Sequence, residues 1–341
     1  MTTPENKRLA LVGAGGWGRN LARSLKNLRG ARLAAVCDSD PAVLARLDGA
    51  LDPATARCGD FGALVADGSI DAIVLATPPE SHHRLACAAL RAGKDVMVEK
   101  PLTLLPDDAD ELVRLAEREG RVLMVGHLLL YHPGIRKLRE IALRGDLGEI
   151  RYLHSQRVNL GVVRTRENSL WSLAPHDVAV AMDLFGETPA TVTAQGASYL
   201  RPGVEDVVFA QLHFPSGKMA AIHVSWLDPH KERRLTIVGS RKMAVFDDME
   251  PTEKLRIYDR GVDLPDYLPY GEALTLRFGD ILIPAIESGE PLVLECQHFV
   301  DRLHDRARPR SDGRSGLEVV RALAAATESL RRGGAPIAVG G

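Results

Sequence analysis

Two residues stand where their side chains could transfer protons. Lys100 lies in Glu99-Lys100-Pro101, directly after the apolar run Asp95–Val98. A lysine there could donate a proton to a substrate hydroxyl or relay one from it. His176 follows Pro175, which suits the first turn of a helix, and a neutral histidine is a good general base. The two residues indicate acid–base chemistry on an alcohol, with a solvated lysine and a structural histidine as the alternatives.

A glycine-rich turn could hold a dinucleotide. Residues 13–18 read Gly13-Ala14-Gly15-Gly16-Trp17-Gly18, a GxGxxG pattern after an apolar run, and Asp38 ends the next run about 20 residues later. Glycines let backbone N–H groups approach a pyrophosphate at the start of a helix. Asp38 could accept hydrogen bonds from ribose hydroxyls, and its carboxylate would repel a 2′-phosphate. Because Ser39 and Asp40 supply no arginine, the pattern favours NAD over NADP.

The elements that position these residues alternate between strand and helix up to residue 126. Short apolar strands separated by helices predict a parallel sheet buried on both faces. The carboxyl ends of such strands point into the ligand crevice, which places Lys100 there. The predicted strands are Arg8–Val12, Arg32–Cys37, Ala56–Cys58, Asp71–Ala76, Asp95–Val98 and Val122–Gly126. The predicted helices are Trp17–Leu28, Ala42–Leu47, one from Phe61, Ser81–Ala92 and Leu105–Glu119.

The second half alternates with a period of two, which predicts an antiparallel sheet with one face covered. Its predicted strands are Val204–Phe214, Lys218–Asp228, Arg234–Val238 and Met243–Asp247, and its predicted helices are Pro133–Arg144, Leu173–Phe185, Leu294–Arg308 and Leu317–Arg331. We therefore expect an α/β chain with a doubly wound Rossmann domain over residues 1–126. Residues 127–341 are expected to form an α+β domain with a large, mostly antiparallel sheet, which binds substrate. The free face of that sheet predicts a homodimer or homotetramer.

Composition argues against several other classes. The 341 residues carry 43 Lys+Arg against 45 Asp+Glu, a formal net charge of −2, so no broad positive field exists for nucleic acid or an anionic membrane. No run approaches the length of a membrane span, and the first residues lack the apolar stretch of a signal peptide, which predicts a cytoplasmic protein. The four cysteines form no CxxC pair. His82-His83 and Cys296-Gln297-His298 have no further ligands clustered in the sequence, so we expect no metal.

Several motifs together resemble the Gfo/Idh/MocA oxidoreductases. They are the GxGxxG turn with Asp38, the run Thr77-Pro78-Pro79-Glu80-Ser81-His82, and Glu99-Lys100-Pro101-Leu102. The second half is similar throughout, including Leu173–Gly186 and Val319–Leu330. The resemblance implies an NAD-dependent dehydrogenase of a sugar-like alcohol. The implied cofactor contacts are Gly13, Gly15, Gly16, Trp17, Gly18, Asp38, Thr77, Pro78, His82, Glu99 and Lys100.

Residues 157–177, 196–209 and 223–248 resemble more narrowly the branch of the family that acts on UDP-N-acetylglucosamine. This implies oxidation of the C3 hydroxyl to a 3-keto sugar, which is later transaminated to a 2,3-diamino sugar of lipid A or surface polysaccharide. Other members of the family act on UDP-N-acetylglucosaminuronate or inositol, so these substrates are alternatives. A non-catalytic NAD(H)-binding regulator is a further alternative. The implied substrate contacts are Lys100, Arg157, Asn159, Arg164, Asn168, Trp171, Ser172 and His176. Arginine suits a diphosphate because its planar fork binds two oxygens.

One position departs from the family pattern. Many members carry an aspartate four residues before the active-site histidine, where this chain has Ser172. A serine hydroxyl can hydrogen-bond a substrate but cannot take its proton at neutral pH. The departure leaves Lys100 and His176 as the expected acid–base pair.

Overall fold

The computed structural model describes residues 6–47, 49, 51–165, 167–263 and 275–340. The chain forms two compact units, Met1–Tyr131 with Gly289–Arg321 and His132–Ser288 with Ala322–Gly341. The expected domains, 1–126 and 127–341, are each one continuous segment. Residues 289–321 instead pack with the N-terminal segment, so each unit consists of two segments. Within the described residues, no helix is both long enough and apolar enough to cross a bilayer.

The first unit is built on a six-stranded parallel sheet of order β3-β2-β1-β4-β5-β6. Its strands are β1 (Lys7–Val12), β2 (Ala31–Cys37), β3 (Ala56–Cys58), β4 (Ala72–Leu75), β5 (Asp95–Glu99) and β6 (Leu123–Gly126). Its helices are α1 (Gly16–Leu25), α2 (Pro41–Ala45), α3 (Phe61–Ala66), α4 (His82–Arg91), α5 (Pro106–Arg118) and the later α9 (Pro291–Asp305), with 3-10 turns at Pro79–Ser81 and Leu128–Tyr131. Strands β4 and β5 are buried at every residue, as the continuous apolar runs predicted. The doubly wound fold is confirmed.

The second unit is built on a nine-stranded sheet of order β14-β13-β12-β11-β7-β10-β9-β8-β15. Its strands are β7 (Ile150–Val158), β8 (Thr191–Ala197), β9 (Val207–His213), β10 (Met219–Ser225), β11 (Glu232–Gly239), β12 (Met243–Asp247), β13 (Leu255–Asp263), β14 (Thr275–Leu282) and β15 (Ile337–Ala338). Its helices are α6 (Pro133–Leu143), α7 (Ser169–Leu173) and α8 (Pro175–Phe185), and α10 (Gly313–Arg331) contributes to both units. Strands β7 and β10 pair in parallel and the other strand pairs are antiparallel. This confirms the predicted large, mostly antiparallel sheet.

Helices cover one face of the nine-stranded sheet. Helix α8 contacts β7 and β10, and α6 contacts β12. On the covered face Leu153 and Ile237 are buried, whereas Tyr152 and Phe209 are exposed on the other face. The alternation follows from the period of two along each strand.

The predicted helix Leu173–Phe185 is α8, which starts two residues later at Pro175, and the short helix α7, which ends at Leu173, was not predicted. Proline has no N–H to continue the hydrogen-bond ladder of a preceding helix. The break places His176 in the first turn of α8.

Candidate active site

The glycine-rich turn joins β1 to α1 and leaves room for an anion beside its backbone. Gly13 has φ +88°, and a Cβ there would lie 2.6 Å from the Ala76 carbonyl oxygen. A Cβ at Gly18 would collide with the Gly13 carbonyl. At Gly15 and Gly16 a Cβ would meet no described atom within 4 Å, and no side chain caps the helix start at Gly15. The first-turn N–H groups of α1 are therefore left for an anion, which fits a dinucleotide pyrophosphate.

Asp38 follows β2 and holds this turn. Its carboxylate accepts hydrogen bonds from the backbone N–H of Ala14 (2.7 Å) and of Asp40 (3.0 Å). A carboxylate offers about four acceptor positions, so Asp38 can still accept hydrogen bonds from ribose hydroxyls. The residue fits both the turn and the adenosine end of NAD.

Trp17 links the start of α1 to the end of β5. Its indole N–H donates to Glu99 Oε1 at 2.6 Å, and Glu99 Oε2 accepts from the backbone N–H of Lys100 at 3.2 Å. Burial raises the pKa of the Glu99 carboxyl, while the Trp17 hydrogen bond and the Lys100 charge oppose the rise. Glu99 thus ties Trp17 to the residue that carries the expected acid–base chemistry.

His82, the first residue of α4, supports the segment after Lys100. It is fully buried, and its ring nitrogens lie 2.9 Å from the carbonyl oxygens of Pro101 and Thr77. Burial lowers its pKa, and the two carbonyls act in the opposite direction. A neutral ring has one N–H and donates to one of these two carbonyls. We propose that His82 positions the segment after Lys100, and the cofactor contact expected of it stays a prediction. Thr77 and Pro78 lie in the turn after β4, where Thr77 Oγ1 accepts from the Ser81 hydroxyl at 2.7 Å.

Sequence reasoning missed two buried groups near Lys100. His127 follows β6 as Lys100 follows β5, is 1% exposed, and has no hydrogen-bond partner at either ring nitrogen among the described residues. Burial, with the positive charge of Lys100, lowers its pKa to about 3. Glu295 on α9 is fully buried, and burial together with neighbouring Glu99 raises its pKa well above the usual range. The position after a strand could have revealed His127, whereas Glu295 lies in a distant helix with no local signal.

In the second unit, the residue after His176 anchors α8 to the sheet. Asp177 is 1% exposed and accepts hydrogen bonds from Ser155 Oγ (2.6 Å), Arg157 Nε (2.7 Å) and Arg157 Nη2 (3.1 Å). Ser155 and Arg157 lie on β7, so a buried ion pair fixes the first turn of α8 and with it half-buried His176. The Arg157 guanidinium, one of the groups expected to contact the substrate, is bound to Asp177. We propose that it positions α8, and its substrate contact stays a prediction.

Other expected substrate contacts also serve the local fold. Asn168 caps α7 by accepting from the Trp171 N–H at 3.1 Å, and its amide donates to Glu205 at 2.6 Å. The Trp171 indole donates to Thr327 Oγ1 at 2.9 Å. Ser172 is half-buried within α7. Asn168 caps α7 and the other two residues lie in it, so all three serve the short helix that precedes His176.

Arg164 and Asn159 lie in the segment between β7 and α7. Asn159 extends β7, because its N–H donates to the Ser225 carbonyl and its carbonyl accepts from the Asp228 N–H. The Arg164 side chain is 55% exposed and forms a surface ion pair with Glu167 at 3.5 Å. Exposed pairs of this kind are weak, so the Arg164 guanidinium can exchange partners.

The fold adds neighbours that the sequence did not show beside His83. No further ligands cluster around His83 in the sequence, but Cys87 and Glu111 lie beside it in the structure, with one ligand atom of each residue within 4.8 Å of the others. Cys87 lies one turn along α4, and Glu111 comes from α5, a helix that the sequence does not show to be its neighbour.

Comparisons with known proteins agree with this architecture. Residues 7–127 match the model of the oxidoreductase family with an NAD-binding Rossmann fold, and residues 135–245 match the GFO/IDH/MocA C-terminal domain. A UDP-N-acetylglucosamine 3-dehydrogenase of Acidithiobacillus ferrooxidans is 29% identical over 82% of this chain and 86% of its own. An inositol 2-dehydrogenase of Saccharopolyspora erythraea is 30% identical over 63% of this chain and 66% of its own.

A solved structure shows the same fold. The structure of the UDP-N-acetylglucosamine 3-dehydrogenase from Acidithiobacillus ferrooxidans superposes with a TM-score of 0.81 at 25% identity, over 96% of this chain and 98% of that one. The two family matches confirm the expected enzyme class and the expected cofactor, NAD. The chain belongs to the Gfo/Idh/MocA oxidoreductase family, as one of its NAD-dependent dehydrogenases acting on an alcohol carbon.

Proposed function

We propose that the chain oxidises the C3 hydroxyl of UDP-N-acetylglucosamine to the 3-keto sugar. The observation that carries the proposal is the similarity to a UDP-N-acetylglucosamine 3-dehydrogenase, which extends over 82% of this chain. A 3-keto sugar suits later transamination, so we place the product before a 2,3-diamino sugar of lipid A or surface polysaccharide.

The first unit holds the cofactor and one acid–base group. The glycine turn would bind the pyrophosphate of NAD and Asp38 its ribose. Bound NAD+ supplies the hydride acceptor. Lys100 donates a hydrogen bond to the substrate oxygen as that oxygen loses its proton, which stabilises the developing charge. Glu99, through the Lys100 N–H and the Trp17 indole, keeps this part of the site in place.

The second unit supplies the base and binds the sugar nucleotide. His176 takes the proton of the C3 hydroxyl, since a neutral imidazole can accept it and a serine hydroxyl cannot. The buried Asp177–Arg157 pair sets the position of the imidazole. Ser172 adds at most a hydrogen bond to a hydroxyl. Of the two arginines expected to contact the substrate, Arg164 is more than half exposed and binds the diphosphate.

A substrate panel tests the proposal. Reduction of NAD+ is followed by NADH absorbance with UDP-N-acetylglucosamine, UDP-N-acetylglucosaminuronate and myo-inositol, and the reaction without enzyme is the blank. We expect turnover with UDP-N-acetylglucosamine and a KM that rises in Arg164→Ala. Turnover with myo-inositol alone would replace this proposal with the polyol alternative, which the 30% identity to an inositol 2-dehydrogenase supports.

We also propose that the chain self-associates as a dimer or tetramer through the open face of the nine-stranded sheet. Phe209 is 55% exposed and stacks on His223 with ring centroids 4.2 Å apart, and Tyr152 is 42% exposed on the same face. Light scattering should give a mass above one chain, and Phe209→Asp should lower it; a monomeric wild type would refute the interface.

We propose a cytoplasmic location for the chain, in which the thiols of Cys37 and Cys58, on adjacent strands, would stay reduced.

A further inference from the structure

Three side chains of the first unit converge on one point away from the glycine turn. His83 and Cys87 lie one turn apart on α4, and Glu111 reaches them from α5. His83 Nε2 lies 3.0 Å from Glu111 Oε2 and 3.5 Å from Cys87 Sγ, and Cys87 Sγ lies 3.9 Å from Glu111 Oε1. Imidazole, thiolate and carboxylate are the ligands that zinc takes in proteins.

The separations of the ligand atoms can be compared with the edges of a zinc tetrahedron. Zinc–ligand bonds of about 2.3 Å to sulfur and about 2.0–2.2 Å to nitrogen and oxygen put tetrahedral ligand atoms about 3.4–3.6 Å apart. The His83–Cys87 distance of 3.5 Å lies in that range. The distances of 3.0 and 3.9 Å join different oxygens of Glu111, Oε2 to His83 and Oε1 to Cys87, and one ligand atom from each of the three residues lies within 4.8 Å of the others. His83 and Cys87 thus already have the spacing of two ligands, and the Glu111 carboxylate must turn to bring a single oxygen to the ion.

Of the neighbouring charged groups, Asp108 favours a bound cation and Arg91 opposes it. Asp108 Oδ1 lies 3.9 Å from His83 Nδ1, the nitrogen that the ion does not use, and adds negative charge beside the three ligands. Arg91 Nη2 donates to Glu111 Oε1 at 3.1 Å and must be displaced. The Glu111 side chain is half exposed and gives an entry path, whereas Cys87 is buried. Burial and the Glu111 charge raise the pKa of the Cys87 thiol to about 11, so binding must release its proton to solvent.

We propose that His83, Cys87 and Glu111 bind one divalent transition-metal ion with the ligand preferences of zinc. The three ligands leave a fourth position for water. The ion would join α4 to α5, and α4 begins at His82, which holds the carbonyls of Thr77 and Pro101. Bound metal therefore stabilises α4, whose first residue contacts the segment after Lys100.

Cobalt titration of the full-length protein, without substrate or cofactor, tests the site. Co²⁺ should bind at one ion per chain with a thiolate charge-transfer band, and Zn²⁺ should displace it. Affinity should fall at least tenfold in Cys87→Ser and in Glu111→Gln, and should rise in Arg91→Ala because the competing cation is gone. Glu111→Gln is a surface change, so it keeps the test valid if Cys87→Ser folds poorly.

Cys58→Ser is the matched control, because Cys58 is a free thiol outside the cluster. It should bind Co²⁺ as the wild type does. Zn²⁺ should also raise the thermal midpoint of the wild type and of Cys58→Ser but not of Glu111→Gln. The absence of a thiolate band, or a band lost in Cys58→Ser and kept in Cys87→Ser, would overturn the proposal. None of these measurements depends on the sugar substrate.

Discussion

Replacing Asp177 with asparagine tests whether the buried ion pair positions α8. The substitution keeps the shape of the side chain and removes its charge, which leaves the Arg157 guanidinium without its counter-ion. The Arg157 and Asp177 side chains are 12% and 2% exposed, so solvent cannot replace the lost partner. His176, the neighbour in the chain, should lose its fixed position.

The magnitude follows from the burial of the pair. Breaking a buried ion pair by removing one partner costs about 3–5 kcal/mol. For a unit of this size, each kcal/mol lowers the thermal midpoint by about 2–4 °C, so Asp177→Asn should lower it by about 6–20 °C. Replacing both partners with apolar residues should cost much less, because no unpaired charge remains buried.

Calorimetry on wild type, Asp177→Asn, Arg157→Met and the double variant Arg157→Met/Asp177→Leu measures these differences. Asp146→Asn is the matched control: it breaks an exposed pair with Arg144 whose side chains are 44% and 56% exposed, worth about 0–1 kcal/mol. At a temperature where Asp177→Asn is folded, its kcat should still be reduced. A midpoint for Asp177→Asn that matches Asp146→Asn would refute the reasoning from burial.

Four further predictions concern the cofactor, proton transfer and pH. Asp38→Ala should narrow a preference for NAD+ over NADP+ in calorimetry, and equal affinities in the wild type would contradict the role of the carboxylate. Lys100→Met keeps the stem but removes the ammonium, so steady-state kcat should fall about 10²-fold or more while NAD+ affinity changes little; near-normal turnover would make Lys100 a structural residue. His176→Asn should nearly abolish oxidation at neutral pH, whereas Ser172→Ala loses one hydrogen bond worth about 0.5–1.5 kcal/mol and should slow turnover about tenfold or less; equal losses in the two variants would refute the division of roles. Below the ordinary histidine pKa the unfolded chain binds a proton that His127, with its folded pKa lowered to about 3, does not bind, so stability is lost as the pH falls. Between about pH 7.5 and 5.5 this residue should cost the wild type about 1.4 kcal/mol of unfolding free energy, and His127→Leu should not show that loss. Urea denaturation at the two pH values measures the difference, and the same pH dependence in both proteins would contradict the burial of a neutral ring.

The first unit was predictable because its signals are local. Buried parallel strands read as continuous apolar runs, and the predicted strand Ala56–Cys58 has the bounds of β3. The glycine turn, Asp38 and Lys100 each follow a strand, so sheet topology alone gathers them at one edge. The addition of residues 289–321 to this unit could not be predicted, because it depends on packing between distant segments.

The second sheet was predictable only in part. The hairpins β9–β10 and β11–β12 have turn residues between alternating runs, and both were found. Strand β7 was missed, although it lies in the middle of the sheet. Its sequence IRYLHSQRV is polar at most positions, because its open-face residues are exposed and Ser155 and Arg157 bind Asp177. A polar side chain whose partner comes from another element gives no pattern that a sequence can show.

Asp177 shows how a polar residue beside an expected catalytic residue can serve the fold. The carboxylate of Asp177 is adjacent to His176, but its two oxygens already accept three hydrogen bonds from Ser155 and Arg157. Three of its about four acceptor positions are therefore used, and we infer that it does not take the role of the carboxylate that many relatives carry at the position of Ser172. We expect it to affect catalysis by fixing where His176 lies, because its bonds hold the start of α8 against β7. Asp177→Asn should thus reduce kcat without abolishing it, whereas His176→Asn removes the proton acceptor itself.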